Sequence, residues 1–243
     1  KISWCREINH SDNLANILQK LSFSPCTENF DCTILCDFNK LKKLIIHGYN
    51  GKLCINHLSN TLEELHCTKC NVDQDMISYF KKLKILNRTD VEGITDVNHL
   101  SDILVELYCG GICGINQEGI SKLKKIKKLD CSYNSKIIDL NYMADTLEHL
   151  ICRGTKGIGI KENGIRNLYK LVTLDCYRNY FIKNVNYFSK SLRFLYCKQS
   201  AVEQSGIKKL KNLYEIEYSM RSGQIKDLSH INLKKINGVR IRK

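Results

Sequence analysis

Apolar residues recur along the chain in one short phrase. Leu104-Val-Glu-Leu107-Tyr-Cys109, Leu147-Glu-His-Leu150-Ile-Cys152, Leu171-Val-Thr-Leu174-Asp-Cys176 and Leu192-Arg-Phe-Leu195-Tyr-Cys197 share it, and Leu62-Glu-Glu-Leu65-His-Cys67 and Ile126-Lys-Lys-Leu129-Asp-Cys131 are further copies. The second apolar position runs Leu44, Leu65, Leu86, Leu107, Leu129, Leu150, Leu174, Leu195, Ile216 and Ile236, in steps of 20 to 24 residues. That leucine and the cysteine two places on point to one face of an extended strand. The apolar residues between phrases, such as Ile120, Leu123 and Ile126, are three apart, as one side of a helical turn requires. One copy cannot bury both faces alone, but stacked copies make a continuous core in which each touches only its neighbours.

The connectors alternate between two kinds. Ile94-Thr-Asp-Val-Asn-His-Leu100 recurs as Ile137-Ile-Asp-Leu-Asn-Tyr-Met143 and Ile182-Lys-Asn-Val-Asn-Tyr-Phe188, with a degenerate copy at Ile225–Ile231. Gln117-Glu-Gly-Ile120 recurs as Glu162-Asn-Gly-Ile165 and Gln204-Ser-Gly-Ile207. The unit is therefore a pair of rungs.

These phrases resemble the leucine-rich-repeat family, whose repeat reads L-x-x-L-x-L-x-x-N/C-x-L. The resemblance covers about residues 37–239. Cysteine stands for the third leucine, and the N/C slot holds Cys70, Asn134, Thr155, Asn179 and Ser200. It implies an α/β solenoid: a curved right-handed superhelix with a parallel β-sheet on the concave face and short helical or 3-10 connectors on the convex side. Two residues depart from the pattern. Arg88 takes the inward cysteine slot and Ile112 an N slot, so the rung around Leu86 is expected to be irregular. The lysine-rich, cysteine-rich, proline-poor style is also similar to that of leucine-rich-repeat proteins of amoebal giant viruses.

Residues 1–36 do not fit the repeat and are expected to form an N-terminal cap, with 37–243 as the repeat domain of about ten rungs. Leu14, Ile17, Leu18 and Leu21 have helical spacing, which predicts a helix over Asn13 to Leu21. The basic end, Val239 to Lys243, reads as a frayed last strand. The step of 24 residues between Leu150 and Leu174 marks an insertion, and its glycine-rich run from Gly154 to Gly164 lacks the spacing of a phosphate-binding loop.

Composition narrows the functional classes. The 243 residues carry a formal charge of +13, which favours acidic partners. No apolar run approaches the roughly 18 residues a membrane helix needs, so membrane insertion is not expected. Of the 13 cysteines, six fall at the inward slot, where free thiols behave as small buried apolar groups. Such a column argues for a reducing, intracellular and cytoplasmic setting, the host cytoplasm if the chain is viral or an effector. Cys67-Thr-Lys-Cys70 invites a metal or redox reading, but the repeat register accounts for both residues and no second pair follows. A disulfide among the N-terminal cysteines, which include Cys5, Cys26, Cys32 and Cys36, remains open.

No catalytic constellation is present, so no enzyme activity, cofactor or metal is expected. Outward strand residues are the candidates for binding a protein partner. Acidic and aromatic side chains there, the latter enriched at interface hot spots, single out Tyr108, Asp130, Asp175, Tyr177, Phe194 and Tyr196. The main expectation is a non-catalytic protein-interaction scaffold acting through the concave face. Lysines cluster instead in the connectors, at Lys122, Lys124, Lys125, Lys127, Lys208, Lys209 and Lys211. That flank offers an alternative, nucleic acid or another anionic surface. A further alternative is the targeting domain of a larger ubiquitin-ligase-type or effector protein.

Overall fold

The computed structural model describes residues 2–4, 16–24, 32–49, 51, 53–219 and 224–241. The chain divides into two compact units, Lys1–Lys125 and Ile126–Lys243. In the first, strands β1 (Ile2–Trp4), β2 (Lys20–Phe23), β3 (Lys43–His47), β4 (Glu64–Thr68), β5 (Ile85–Asn87) and β6 (Glu106–Tyr108) pair in chain order, all parallel. In the second, β7 (Lys128–Asp130), β8 (His149–Ile151), β9 (Thr173–Asp175), β10 (Phe194–Tyr196), β11 (Glu215–Glu217) and β12 (Lys235–Ile236) do the same. A last strand, β13 (Val239–Arg240), runs antiparallel to β12. The register follows the sequence phrase: Leu44 stands beside Leu65, Leu65 beside Leu86 and Leu86 beside Leu107. Leu129, Leu150, Leu174, Leu195 and Ile216 form the corresponding file of the second unit.

The core is the predicted one. Each of those leucines is fully buried, as are the connector residues Ile165, Leu168 and Leu171. Cys67, Cys109, Cys131, Cys152, Cys176 and Cys197 are at most 4% exposed, and none of the six is in a disulfide. Burial pushes the Cys131 and Cys176 thiols up to about 12 and the Cys67 thiol to about 11. The parallel ladder continues through the cysteine slot, where the Cys152 and Cys176 amides donate to the carbonyls of Asp175 and Tyr196.

The two connector kinds interlock. Helix α1 (Gln74–Ser78) holds the corresponding place in its rung with Met76 in the glycine position, while helices α2 (Gln117–Ile120) and α3 (Gln204–Ile207) and the 3-10 segment Glu162–Gly164 are the glycine kind. A Cβ on Gly119, Gly164 or Gly206 would overlap the backbone of the preceding connector, at Thr95, Ile138 and Lys183 respectively. Close approach allows direct bonds: Val97 N–H donates to Gly119 O, Leu140 to Gly164 and Val185 to Gly206. The asparagine of the other kind then clamps the joint. Asn186 Nδ2 donates to Ser205 O at 2.8 Å while its Oδ1 accepts from Lys209 N at 2.7 Å, and Asn98 and Asn141 repeat the arrangement. On the far side, Gln204 Oε1 accepts from the amides of Lys226 and Asp227, as Gln74 does from Thr95 and Asp96.

Three expectations need revision. The helix over Asn13 to Leu21 is not what the described part forms: Lys20–Phe23 is strand β2, with Leu21 in register with Leu44. Leu18-Gln-Lys-Leu21-Ser-Phe23 is itself a rung phrase, phenylalanine replacing cysteine, and its three-residue spacing mimics a helix. Leu21 and Phe23 are buried while Ile17 is 67% exposed. Residues 5–15, including Leu14, lie outside the described residues, as do Cys5, Cys26, Arg242 and Lys243. Second, the rung around Leu86 is regular. Arg88 is fully buried at the cysteine slot, and its guanidinium donates to the carbonyls of Cys67, Cys70, Val72 and Glu92 at 2.9 to 3.1 Å. A planar fork with five donors can stitch carbonyls that no thiol reaches. Third, Val239 and Arg240 form a hairpin arm instead of a frayed end, because Asn237 and Gly238 take the left-handed conformations (φ 49° and 81°) of a tight turn.

The insertion folds on itself: Thr155 N–H donates to Ile158 O at 2.8 Å, and Asn179 Nδ2 to Ile160 O at 3.1 Å. Among the described residues, no helix is long and apolar enough to cross a membrane.

Candidate partner-binding face

Each strand presents two side chains on either side of its buried leucine, and one more follows the buried cysteine. In the second unit this outward row is built largely of charged and aromatic groups. Asp175, on β9, is only 7% exposed. Its Oδ2 accepts from Arg153 Nε at 2.9 Å and Nη2 at 2.7 Å, one rung back, and its Oδ1 from the Tyr177 amide at 3.1 Å. The Asp175 carboxylate in turn holds the Arg153 guanidinium above its ordinary pKa. The motif repeats two rungs on: Lys198 Nζ lies 2.9 Å from Glu217 Oε2. Lys235 and Glu215 make a looser pair at 3.6 Å. Opposite charges on neighbouring strands support the stack by roughly 0.2–1 kcal/mol each.

Arg153, Asp175, Tyr177, Tyr196, Lys198 and Glu217 together line a shallow, open hollow of about 480 Å³. Tyr177 carries the Arg178 guanidinium over its ring, 5.2 Å from the centroid. Burial and the carboxylates of Glu215, Glu217 and Asp175 raise the Tyr196 hydroxyl pKa above its ordinary value. The hollow thus offers aromatic surface, a phenol donor and paired charges of both signs.

Of the six sequence candidates, Asp175, Tyr177 and Tyr196 meet in this hollow. Phe194 shares a strand with Tyr196 but lies on the other side of Leu195, with its ring 5.7 Å from that of Tyr214. Asp130 sits two strands away on β7, where its Oδ1 accepts from Ser132 N–H at 3.0 Å. Tyr108 belongs to the other unit, where its hydroxyl donates to Glu106 Oε2 at 2.8 Å. Arg153, Lys198 and Glu217 are not among those six candidates. Their signal was present: a basic residue follows the cysteine of one rung and an acidic residue fills the central slot of the next, at Arg153/Asp175 and again two rungs on at Lys198/Glu217.

The connector lysines, including Lys124, Lys125, Lys208, Lys209 and Lys211, are exposed. Among the described residues, no group of three or more His, Cys, Asp or Glu side chains is placed to hold a metal ion.

No family model matches the sequence, and no curated protein matches it. Among solved structures it is similar to an internalin, inlF, of Listeria monocytogenes, with a TM-score of 0.52 and 16% identity over 88% of this chain and 71% of that one. Internalin C2 of the same organism gives 0.45 and 19% over 75% and 73%. A chain of the yeast Rad7 and Elc1 complex gives 0.49 and 15% over 88% and 73%. At these identities the likeness is one of fold. The stacked parallel strands with short helical and 3-10 connectors are a leucine-rich-repeat solenoid.

Proposed function

We propose that this chain is a non-catalytic scaffold that binds a protein partner through the outward face of its strands, working inside the cell. The observation that carries the reading is the hollow around Tyr177 and Tyr196, where aromatic surface is framed by the Arg153–Asp175 and Lys198–Glu217 pairs. Aromatic anchors within a rim of charge are the make-up of protein-binding hot spots. Asp130, Phe194 and, in the first unit, Tyr108 extend the same reading as secondary contacts.

The test compares partner capture by the wild type and by a Tyr177→Ala, Tyr196→Ala double variant, with circular dichroism confirming that both fold. Each anchor that behaves as a hot spot lowers affinity about 30-fold when removed, and loss of both lowers it by up to about 1,000-fold. A partner that binds the double variant as tightly as wild type overturns the assignment of this face.

A second reading rests on the exposed lysine flank, which suits a polyanion such as nucleic acid. It predicts binding that falls steeply with added salt, by roughly one unit of log–log slope per phosphate contact. Binding that is absent, or indifferent to salt, removes it.

A further inference from the structure

Cys32 and Cys54 stand apart from the thiol column. Cys32 opens the 3-10 segment Cys32–Asp37 ahead of β3, and Cys54 lies just before the segment Asn56–Asn60 ahead of β4. Their sulfurs are 3.0 Å apart, and Cys36 Sγ lies 3.9 Å from the Cys54 carbonyl oxygen. The column cysteines are sealed in the core, whereas Cys54 is half-buried and Cys36 exposed. A disulfide needs an S–S separation of about 2.05 Å. The two sulfurs are therefore about 1 Å from bonding, on the connectors ahead of β3 and β4.

We propose that Cys32 and Cys54 are an oxidation site, closing to an inter-rung disulfide when the chain meets a small-molecule disulfide such as oxidised glutathione. One protein thiolate attacks the oxidant's S–S bond, forms a mixed disulfide and expels one glutathione thiolate. The partner thiolate then attacks the sulfur of the mixed disulfide on the protein, forms the Cys32–Cys54 bond and expels the second glutathione. Two protein thiols are oxidised, one oxidant disulfide is reduced, and the two thiol protons end on the two glutathiones. The bond ties the connector before β3 to the connector before β4 and closes a loop around β3. The hydrogen bond with Cys32, burial and the neighbouring thiols push Cys54 up to about 11. Its thiolate is scarce at neutral pH, so closure is slow there and quickens as pH rises.

The experiment incubates the full chain with oxidised and reduced glutathione at set ratios, traps remaining thiols by alkylation in acid, and maps peptides by mass spectrometry. The expected result is one Cys32–Cys54 cross-link, retained in Cys36→Ser and lost in Cys54→Ser. The oxidised wild type should melt roughly 5–10 °C higher than the reduced chain. Three results overturn the proposal: no cross-link after exhaustive oxidation, a cross-link through Cys5, Cys26 or Cys36, or a zinc ion retained by these thiols and shielding them from oxidation. The wild-type peptide map stands even if a serine variant folds poorly.

Discussion

Replacing Gly206 by alanine sets two physical effects against each other. The residue lies in α3, and a glycine inside a helix costs about 0.5–1 kcal/mol relative to alanine. Helix propensity alone therefore makes Gly206→Ala stabilising. Packing says the reverse. The new Cβ would overlap Lys183 O and stand 2.9 Å from Asn184 Cα and 3.0 Å from Lys183 C, all of it backbone. Restoring ordinary contact requires the two connectors to part by about 1 Å. Four hydrogen bonds cross that joint: Glu203 N to Lys183 O at 3.3 Å, Val185 N to Gly206 O at 2.9 Å, Asn186 Nδ2 to Ser205 O at 2.8 Å, and Lys209 N to Asn186 Oδ1 at 2.7 Å. Each is worth roughly 0.5–1.5 kcal/mol net, and forcing volume into a packed site costs about 1–3 kcal/mol. After the propensity gain is subtracted, the variant should lose about 2–3 kcal/mol. For a chain of this size the loss corresponds to a fall in Tm of about 4–12 °C.

The assay is thermal and urea unfolding followed by far-UV circular dichroism, with Gly157→Ala as the control. A Cβ on Gly157 meets nothing within 4 Å, so that variant should melt with the wild type. If Gly206→Ala matches or exceeds the wild type in stability, close approach is not what the glycine serves, and the interlocking of connectors is wrong.

Three further outcomes follow from the core and the turns. Arg88→Ala should cost about 3–5 kcal/mol in urea unfolding, because four carbonyls lose their donor and a cavity opens; Arg88→Cys, although it restores the repeat phrase, should fare little better. Lys69 is held at φ 54°, so Lys69→Gly should gain up to about 1 kcal/mol in the same measurement, and a loss would show that the turn is not strained. The buried column should make the fold sensitive to alkali. Cys131 and Cys176 keep their protons up to about pH 12 in the folded chain but only to about 9.0 when exposed, so their contribution is whole below pH 9 and drains away as pH climbs toward 12. Tm measured from pH 8 to 11 should fall across that window, with alkylation of these cysteines appearing only on unfolding.

The inward file of leucines and thiols was legible because burial acts on each rung through the same two positions, and a repeated environment leaves a repeated letter. The alternation of connectors was legible as a pattern, but its cause lies in three dimensions: Asn186 matters because of where Ser205 and Lys209 arrive, some twenty residues on. The N-terminal rungs were misread because Leu18 and Leu21 satisfy helical and rung spacing equally. Only the strand neighbour, Leu44, decides between them. Arg88 is the reverse case, a residue that breaks the phrase while preserving the rung, since its long side chain reaches carbonyls on the rung behind it. On the outward face, sequence names the row but not the pairing. Arg153 looks like an isolated surface charge until β8 and β9 are placed side by side.

The polar residues sort by what already holds them. Asn98, Asn141 and Asn186 are consumed by the connector joints, Gln74, Gln204 and Glu162 by the amides of the next connector, and Asn179 by the insertion loop. Asp130 and Asp175 each hold an amide at the end of their strand, so their carboxylates have a structural use before any partner arrives. This weighs on how the strand face should be tested. Removing Asp175 would free Arg153 and loosen the strand end together, and a loss of binding would not separate the two effects. Tyr177 and Tyr196 contribute ring surface to the hollow without holding a connector joint, which makes them the substitutions whose effect on a partner can be read as contact.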